Sequence, residues 1–183
     1  MKFTYPHTIE NGGSELLIFT RYVKDGATDY VETEGIVQPG GGPPMHVHFK
    51  QDESFTVIKG KIGIEVMGKP SEIMEEGATV NFKAGAAHRF WNAGTDELHI
   101  KGMVTPANNI VYFLTEIYKS TKANGGKRPG TFDAAYLTKR YKSEFAMFGL
   151  PGFVKYVIMP VALFFGTLAG KHKKFADAPE PLR

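Results

Sequence analysis

The chain has no cysteine among its 183 residues. That excludes disulfides, thiolate metal ligands and a cysteine nucleophile. A large excess of charge is missing too: 22 Lys and Arg stand against 19 Asp and Glu, a formal net charge of +3. With no long basic stripe and no nucleic-acid-binding motif, nucleic acid is not an expected partner. The opening Met1-Lys-Phe-Thr-Tyr-Pro-His7 lacks the apolar core of a secretory signal, so the expected location is the cytoplasm. Internal repeats and low-complexity segments are absent. Long apolar runs are missing but for one, Phe153 to Gly170, which carries a single charge, Lys155. It lies at the lower edge of membrane-span candidates, and the basic cluster Lys171-His172-Lys173-Lys174 would suit a cytoplasmic flank. The favoured expectation is a helix packed on the barrel or on a second subunit, as in a homodimer, and kinked or broken at Pro160.

What is present reads as one domain with an ordinary core: 42% of residues are hydrophobic and 22% charged. Met1 to His7 is a candidate edge strand. Glu15 to Lys24 and Asp29 to Gln38 read as strands joined at Asp25-Gly26. The run Pro39 to Pro44, rich in glycine and proline, must be an irregular loop. Short strands then follow closely: Met45 to Phe49, Glu53 to Lys59, Lys61 to Met67, Ser71 to Glu75, Ala78 to Phe82, His88 to Asn92 and Glu97 to Thr105. Many short strands with turns between them indicate an all-β barrel or sandwich. After Pro106 the spacing turns helical. One helix is expected through Ile110 to Tyr118, capped by Asn108 or Asn109. A second, capped by Thr131 or Asp133, is expected to run to about Phe148. Ala176 to Arg183 reads as a loose terminus.

One constellation stands out. His46 and His48 are two apart, so on a strand both rings leave one face. Glu53 opens the next run, with Phe55 and Val57 on its face, and His88 opens a third. Three imidazoles and a carboxylate converging inside a sheet are hard to justify as packing, because buried polar groups need partners. A single divalent ion would satisfy all four. Fe, Mn, Ni, Cu and Zn all suit such a donor set. The remaining histidines, His7, His99 and His172, read as ordinary surface or core groups.

These residues also carry a resemblance. Gly40, five residues, His46-x-His48, four residues, Glu53, six residues and Gly60 are similar to the first cupin motif. Gly77, then Gly85, two residues, His88, three residues and Asn92 resemble the second. The family usually has proline two residues before the second glycine, where this chain has Lys83. The resemblance implies a mainly β fold, the cupin double-stranded β-helix or jelly-roll barrel. Residues 1–105 would form the barrel and 106–183 a helical extension packed on it or on a partner subunit. It implies metal ligation by His46, His48, Glu53 and His88. An apolar cavity is expected around them, from Met45, Phe55, Val57, Ile64, Val66, Phe82, Phe90 and Met103. The matching ligand is a small, largely apolar or aromatic molecule with an oxygen that reaches the metal. The expected activity is a metal-dependent oxidoreductase of small-molecule metabolism. A dioxygenase on an aromatic or enol-type substrate leads, with an isomerase possible. The alternatives are a non-catalytic ligand-binding or sensor protein, and a membrane-associated one acting through 153–170.

Overall fold

The computed structural model describes residues 3–26 and 28–183. Ten strands come first: β1 (His7–Glu10), β2 (Glu15–Asp25), β3 (Thr28–Val37), β4 (His46–His48), β5 (Asp52–Lys59), β6 (Lys61–Val66), β7 (Glu72–Glu75), β8 (Thr79–Phe82), β9 (His88–Asn92) and β10 (Leu98–Thr105). Helices α1 (Ile110–Ala123) and α2 (Thr131–Arg140) follow, then β11 (Phe145–Met147) and α3 (Met159–Leu168). The strands form two antiparallel sheets, ordered β1-β2-β3-β10-β5-β8 and β11-β4-β9-β6-β7.

Alternation explains the interior. On β5, Glu53, Phe55 and Val57 point inward, while Ile58 and Lys59 at its end are exposed. On β6, Ile62 and Ile64 do the same. Val37, Phe55, Val57, Phe82 and Ile100 of the larger sheet meet Ile62, Ile64 and Phe90 of the smaller in one apolar cluster. Each such side chain, fully buried, contributes roughly 1.5–3 kcal/mol. The helices build a second cluster. Ile110, Phe113, Leu137 and Tyr141 pack with Ile9, Phe19, Val31 and Val104. Val31 and Val37 share one face of β3, and Ile100 and Val104 share one face of β10. α1 and α2 therefore close one end of the barrel's own interior.

The loop before β4 is pinned to the end of β9. The Gly40 N–H donates to Asn92 O at 3.0 Å and the Asn92 N–H to Gly41 O at 2.9 Å. Gly42 has φ +143°, and a Cβ there would lie 2.2 Å from Phe90 O, so only glycine allows this approach.

Several expectations are corrected. The first strand is His7–Glu10; Phe3 to Pro6 are not strand, and Met1 and Lys2 lie outside the described residues. The second helix stops at Arg140, and Phe145–Met147 is a strand that extends the smaller sheet beside β4. Its apolar positions satisfied helical spacing, but pairing with β4 prevails over that local pattern. None of the expected caps acts through its side chain: Asn109 precedes α1 without a side-chain capping bond, and Gly130, not Thr131 or Asp133, precedes α2. Pro160 does not break its helix. A π-helical turn, Val154–Ile158, runs directly into α3, with the proline in the first turn. The last residues are not loose. Arg140 donates to Ala178 O and Pro179 O, the Tyr141 hydroxyl to Pro179 O, and the Leu182 N–H to Glu144. No helix among the described residues is long and apolar enough to cross a membrane.

Candidate metal centre

β4 carries His46 and His48, β9 carries His88, and β5 brings Glu53 from the opposite sheet. His46 and His88 face each other directly across the β4–β9 pair. The four side chains each offer a ligand atom, and these atoms lie within 4.8 Å of one another. His48 and His88 are buried, at 6% and 1% exposure.

Backbone carbonyls orient two of the rings. His46 Nδ1 lies 2.8 Å from Pro44 O and His88 Nδ1 lies 2.9 Å from Ala86 O. A carbonyl only accepts, so both Nδ1 atoms carry the hydrogen. His88 Nε2 then meets Glu53 Oε2 at 2.9 Å. Two acceptors this close require a cation between them, either a second proton or a metal. Donors at about 2.1 Å from one ion and at right angles to each other lie about 3 Å apart, so this spacing suits shared coordination. His48 Nε2 stands 4.0 Å from the same carboxylate oxygen.

The electrostatics favour the same donor set. Burial drives the His46 pKa down to about 4, aided by His48 and against the pull of Glu53. Burial also lowers His48. For Glu53 burial acts upward, but His48, His88 and His46 outweigh it and bring the group down to about 2. Near neutral pH the centre thus offers unprotonated imidazole at His46 and His48 beside a carboxylate. The residues present fit a divalent transition metal, which His46, His48, Glu53 and His88 would hold.

Of the eight residues expected around the centre, six belong to one apolar cluster: Phe55, Val57, Ile64, Val66, Phe82 and Phe90. Phe82 stacks on the His88 ring at 3.9 Å, and Phe55 meets Phe90 at 4.9 Å. Val66 is the register partner of His88. Two others lie elsewhere. Met103 is 38% exposed on the outer face of β10, opposite Glu32 and Ser54, because Gly102 and Val104 set the inward parity. Met45 has the opposite parity to His46 and is half-buried outside that cluster; its carbonyl accepts from the Phe148 N–H.

Two neighbours escaped the sequence reading. Phe145 sets its ring edge-on to His48 at 5.4 Å, from a segment read as helix. Gln51 is 1% exposed and donates to Ala107 O at 2.9 Å. Its Oε1 and His48 Nδ1 are both buried without a well-formed partner, and Gln51 lies close enough to favour the proton on His48. A polar residue between two ligand positions was the signal available for Gln51. The carbonyls of Pro44 and Ala86 leave no trace in side-chain chemistry. Asn92 donates its side-chain amide to Val37 O and Asp96 O, both at 2.8 Å. At the position where proline is usual, Lys83 pairs with Asp52 at 2.6 Å, and Asp52 also accepts from the Ala84 N–H. His7 bonds Thr115 and His99 sits 3.4 Å from Glu97, so neither joins the centre.

Two facing antiparallel sheets with a three-histidine, one-carboxylate centre between them define a class before they define an activity. Residues 33–105 match the family described as Cupin domain, so this part of the chain is a cupin domain. A probable oxidoreductase of Hypocrea virens, virH, is 35% identical over 65 residues, 36% of this chain and 30% of that protein. Oxidoreductase iacF of Pestalotiopsis fici is 29% identical over 95 residues, 51% of this chain and 46% of that protein. The chain thus spans less than half the length of either relative. Among solved structures, KdgF from Halomonas sp. aligns with TM-score 0.49 and 14% identity over 57% of this chain and 92% of that one.

Proposed function

We propose that this chain is a metal-dependent oxidoreductase acting on a small, largely apolar or aromatic molecule, most specifically a dioxygenase for an aromatic or enol-type substrate. One observation carries the reading: four ligand atoms from both sheets converge within 4.8 Å. The fungal relatives named as oxidoreductases support the reaction class. When bound, a divalent transition metal would supply a Lewis acid with coordination positions left over for an oxygen-bearing substrate. The protein's own groups do the remaining work. Pro44 O and Ala86 O hold two imidazoles in one tautomer, so their Nε2 atoms stay available. Phe82, Phe55 and Phe90 pack beside the centre and keep that side of it apolar. Glu53 supplies negative charge at the centre.

A second reading, a non-catalytic ligand-binding cupin, is favoured by the lining itself: Phe55, Val57, Ile64, Val66, Phe82 and Phe90 offer no acid or base. Metal analysis of the purified protein and of His46→Ala and His88→Ala comes first. About one metal per chain, lost in both variants, is expected; unchanged content in the variants refutes the metal centre. A screen of aromatic and enol-type compounds with each metal, read by oxygen uptake, then separates the two readings. Tight binding without turnover selects the second.

A further inference from the structure

The helix that begins in the π turn Val154–Ile158 and continues through α3 was expected to pack on the barrel or on a second subunit; within the described monomer it is mostly bare. Phe153, Tyr156, Phe164, Phe165 and Leu168 are 62–71% exposed. The described monomer covers one narrow stripe, where Gly166 is buried against Phe132 and Leu163 joins the helical cluster. An apolar face of this size is far more than the scattered exposure of a typical soluble surface. A groove of about 1140 Å³ runs between α3, α2 and β11. Its floor is apolar, with Met147, Met159 and Leu163, and its rim includes Lys139, Lys142 and Lys155. Lys171 and Lys173 follow the helix. All five lysines are exposed, and none forms an ion pair among the described residues. Between Lys139 and Lys174 the one acidic residue is Glu144, which is fully buried.

We propose that α3, its π turn and the flanking lysines form a docking surface for an anionic lipid bilayer, with the apolar side chains inserted at the headgroup level and the lysines on the lipid phosphates. Charge decides between occupants. Two-fold pairing of this face with a second copy would set the same lysines against one another, and the groove's one acid, Glu180, is already paired with Arg140 at 3.1 Å. A bilayer with anionic lipids answers both halves of the surface at once. The helix lies on the membrane instead of crossing it. Five residues of π turn and ten of α3 span about 22 Å, short of the roughly 30 Å hydrocarbon core, and the Gly166–Phe132 contact ties the helix to the barrel.

Flotation of the full chain with vesicles tests this. One set is phosphatidylcholine; the other is an equal mixture of phosphatidylcholine and phosphatidylglycerol. The protein is expected to float with the mixed vesicles, more weakly with the neutral ones, and less as salt rises. Lys171→Glu combined with Lys173→Glu should weaken binding to the mixed vesicles by at least about tenfold. Phe164→Ser combined with Phe165→Ser, at exposed positions that the fold does not need, should abolish flotation while circular dichroism stays unchanged. The proposal is overturned if the chain floats with neither vesicle, or if flotation ignores both variants. It is equally overturned if the chain is a stable dimer that the Phe164/Phe165 variant dissociates, since a second copy then covers the face.

Discussion

Phe82 lies flat on His88, ring centroids 3.9 Å apart and planes within 5°. The phenyl face leaves the imidazole no room to tilt, and the Nδ1 bond to Ala86 O fixes its rotation within that plane. Phe82 itself is 2% exposed and is the register partner of Glu53. One apolar residue thus stands beside two ligands from different sheets. Phe82→Ala should cost about 3–5 kcal/mol of stability through the cavity it leaves. Phe82→Leu, which keeps most of the burial, should retain the fold but bind metal more weakly. Denaturant melts and metal titration of the two variants check this; wild-type metal affinity in Phe82→Leu would show that the stack does not hold the ring.

Gln51 ties the centre to the first turn of the extension, with its amide nitrogen on Ala107 O and its oxygen beside His48 Nδ1. An acceptor there keeps the hydrogen on Nδ1 and leaves His48 Nε2 free to ligate. Gln51→Leu should weaken metal binding roughly 10- to 100-fold, the usual cost of losing such support. Gln51→Glu, which restores an acceptor for Nδ1, should recover a large part of it. Competition with a chelator measures both. Equal affinity in wild type and Gln51→Leu would reduce the glutamine to a structural tie.

The ligand set was legible in the sequence because side-chain parity on short strands is a local rule: His46 and His48 two apart, Glu53 in phase with Phe55 and Val57. Parity failed at Met103 for a physical reason. Gly102, which has no side chain to mark it, takes the inward position, and a Cβ there would lie 2.6 Å from Thr33 Oγ1. Strand β11 was illegible because its reason lies about a hundred residues away, in β4. The C-terminal segment looked loose because its partners are backbone carbonyls met by Arg140 and Tyr141, which no pattern within residues 176–183 announces.

Glu144 organises that segment. It is fully buried, and its oxygens accept from the Asn109 side chain at 2.7 Å and the Leu182 N–H at 3.0 Å. Removing the carboxylate strands both donors. Glu144→Ala should cost about 2–3 kcal/mol and free the terminal residues. Limited proteolysis should then cut near residues 178–183 before the barrel unfolds. Uniform resistance in both proteins would show that Arg140 and Tyr141 hold the segment unaided.

Glu15 predicts a pH dependence. Its oxygens accept from the Tyr118 hydroxyl at 2.8 Å and from Asn11 Nδ2 at 3.1 Å. Burial raises its pKa, and the Tyr118 bond offsets only part of that rise. The folded state therefore holds this proton more tightly than the unfolded chain. The associated stability is full below the ordinary carboxylate pKa and is lost as pH rises through the raised folded value. The melting temperature of the wild type should fall relative to Glu15→Gln as pH rises upward from the ordinary carboxylate pKa. Parallel melting curves across that range would contradict the assignment.

Gly166 offers a test whose sign is decisive. Helix propensity alone says that alanine in place of a helical glycine stabilises by up to about 1 kcal/mol. Packing says the reverse, since a Cβ at Gly166 would lie 2.0 Å from Phe132 Cδ2 and 2.5 Å from Cε2. Phe132 is itself 7% exposed and cannot simply swing into solvent. The overlap should win, so Gly166→Ala is expected to destabilise by about 1–3 kcal/mol. Faster amide exchange should be confined to α3 and its π turn, with metal content unchanged, because the centre lies within the barrel. Combining Gly166→Ala with Phe132→Leu should recover part of the loss by opening space for the methyl group. A stabilised Gly166→Ala protein would mean that α3 is seated more loosely than the glycine contact implies, and that the helix moves as a unit against α2.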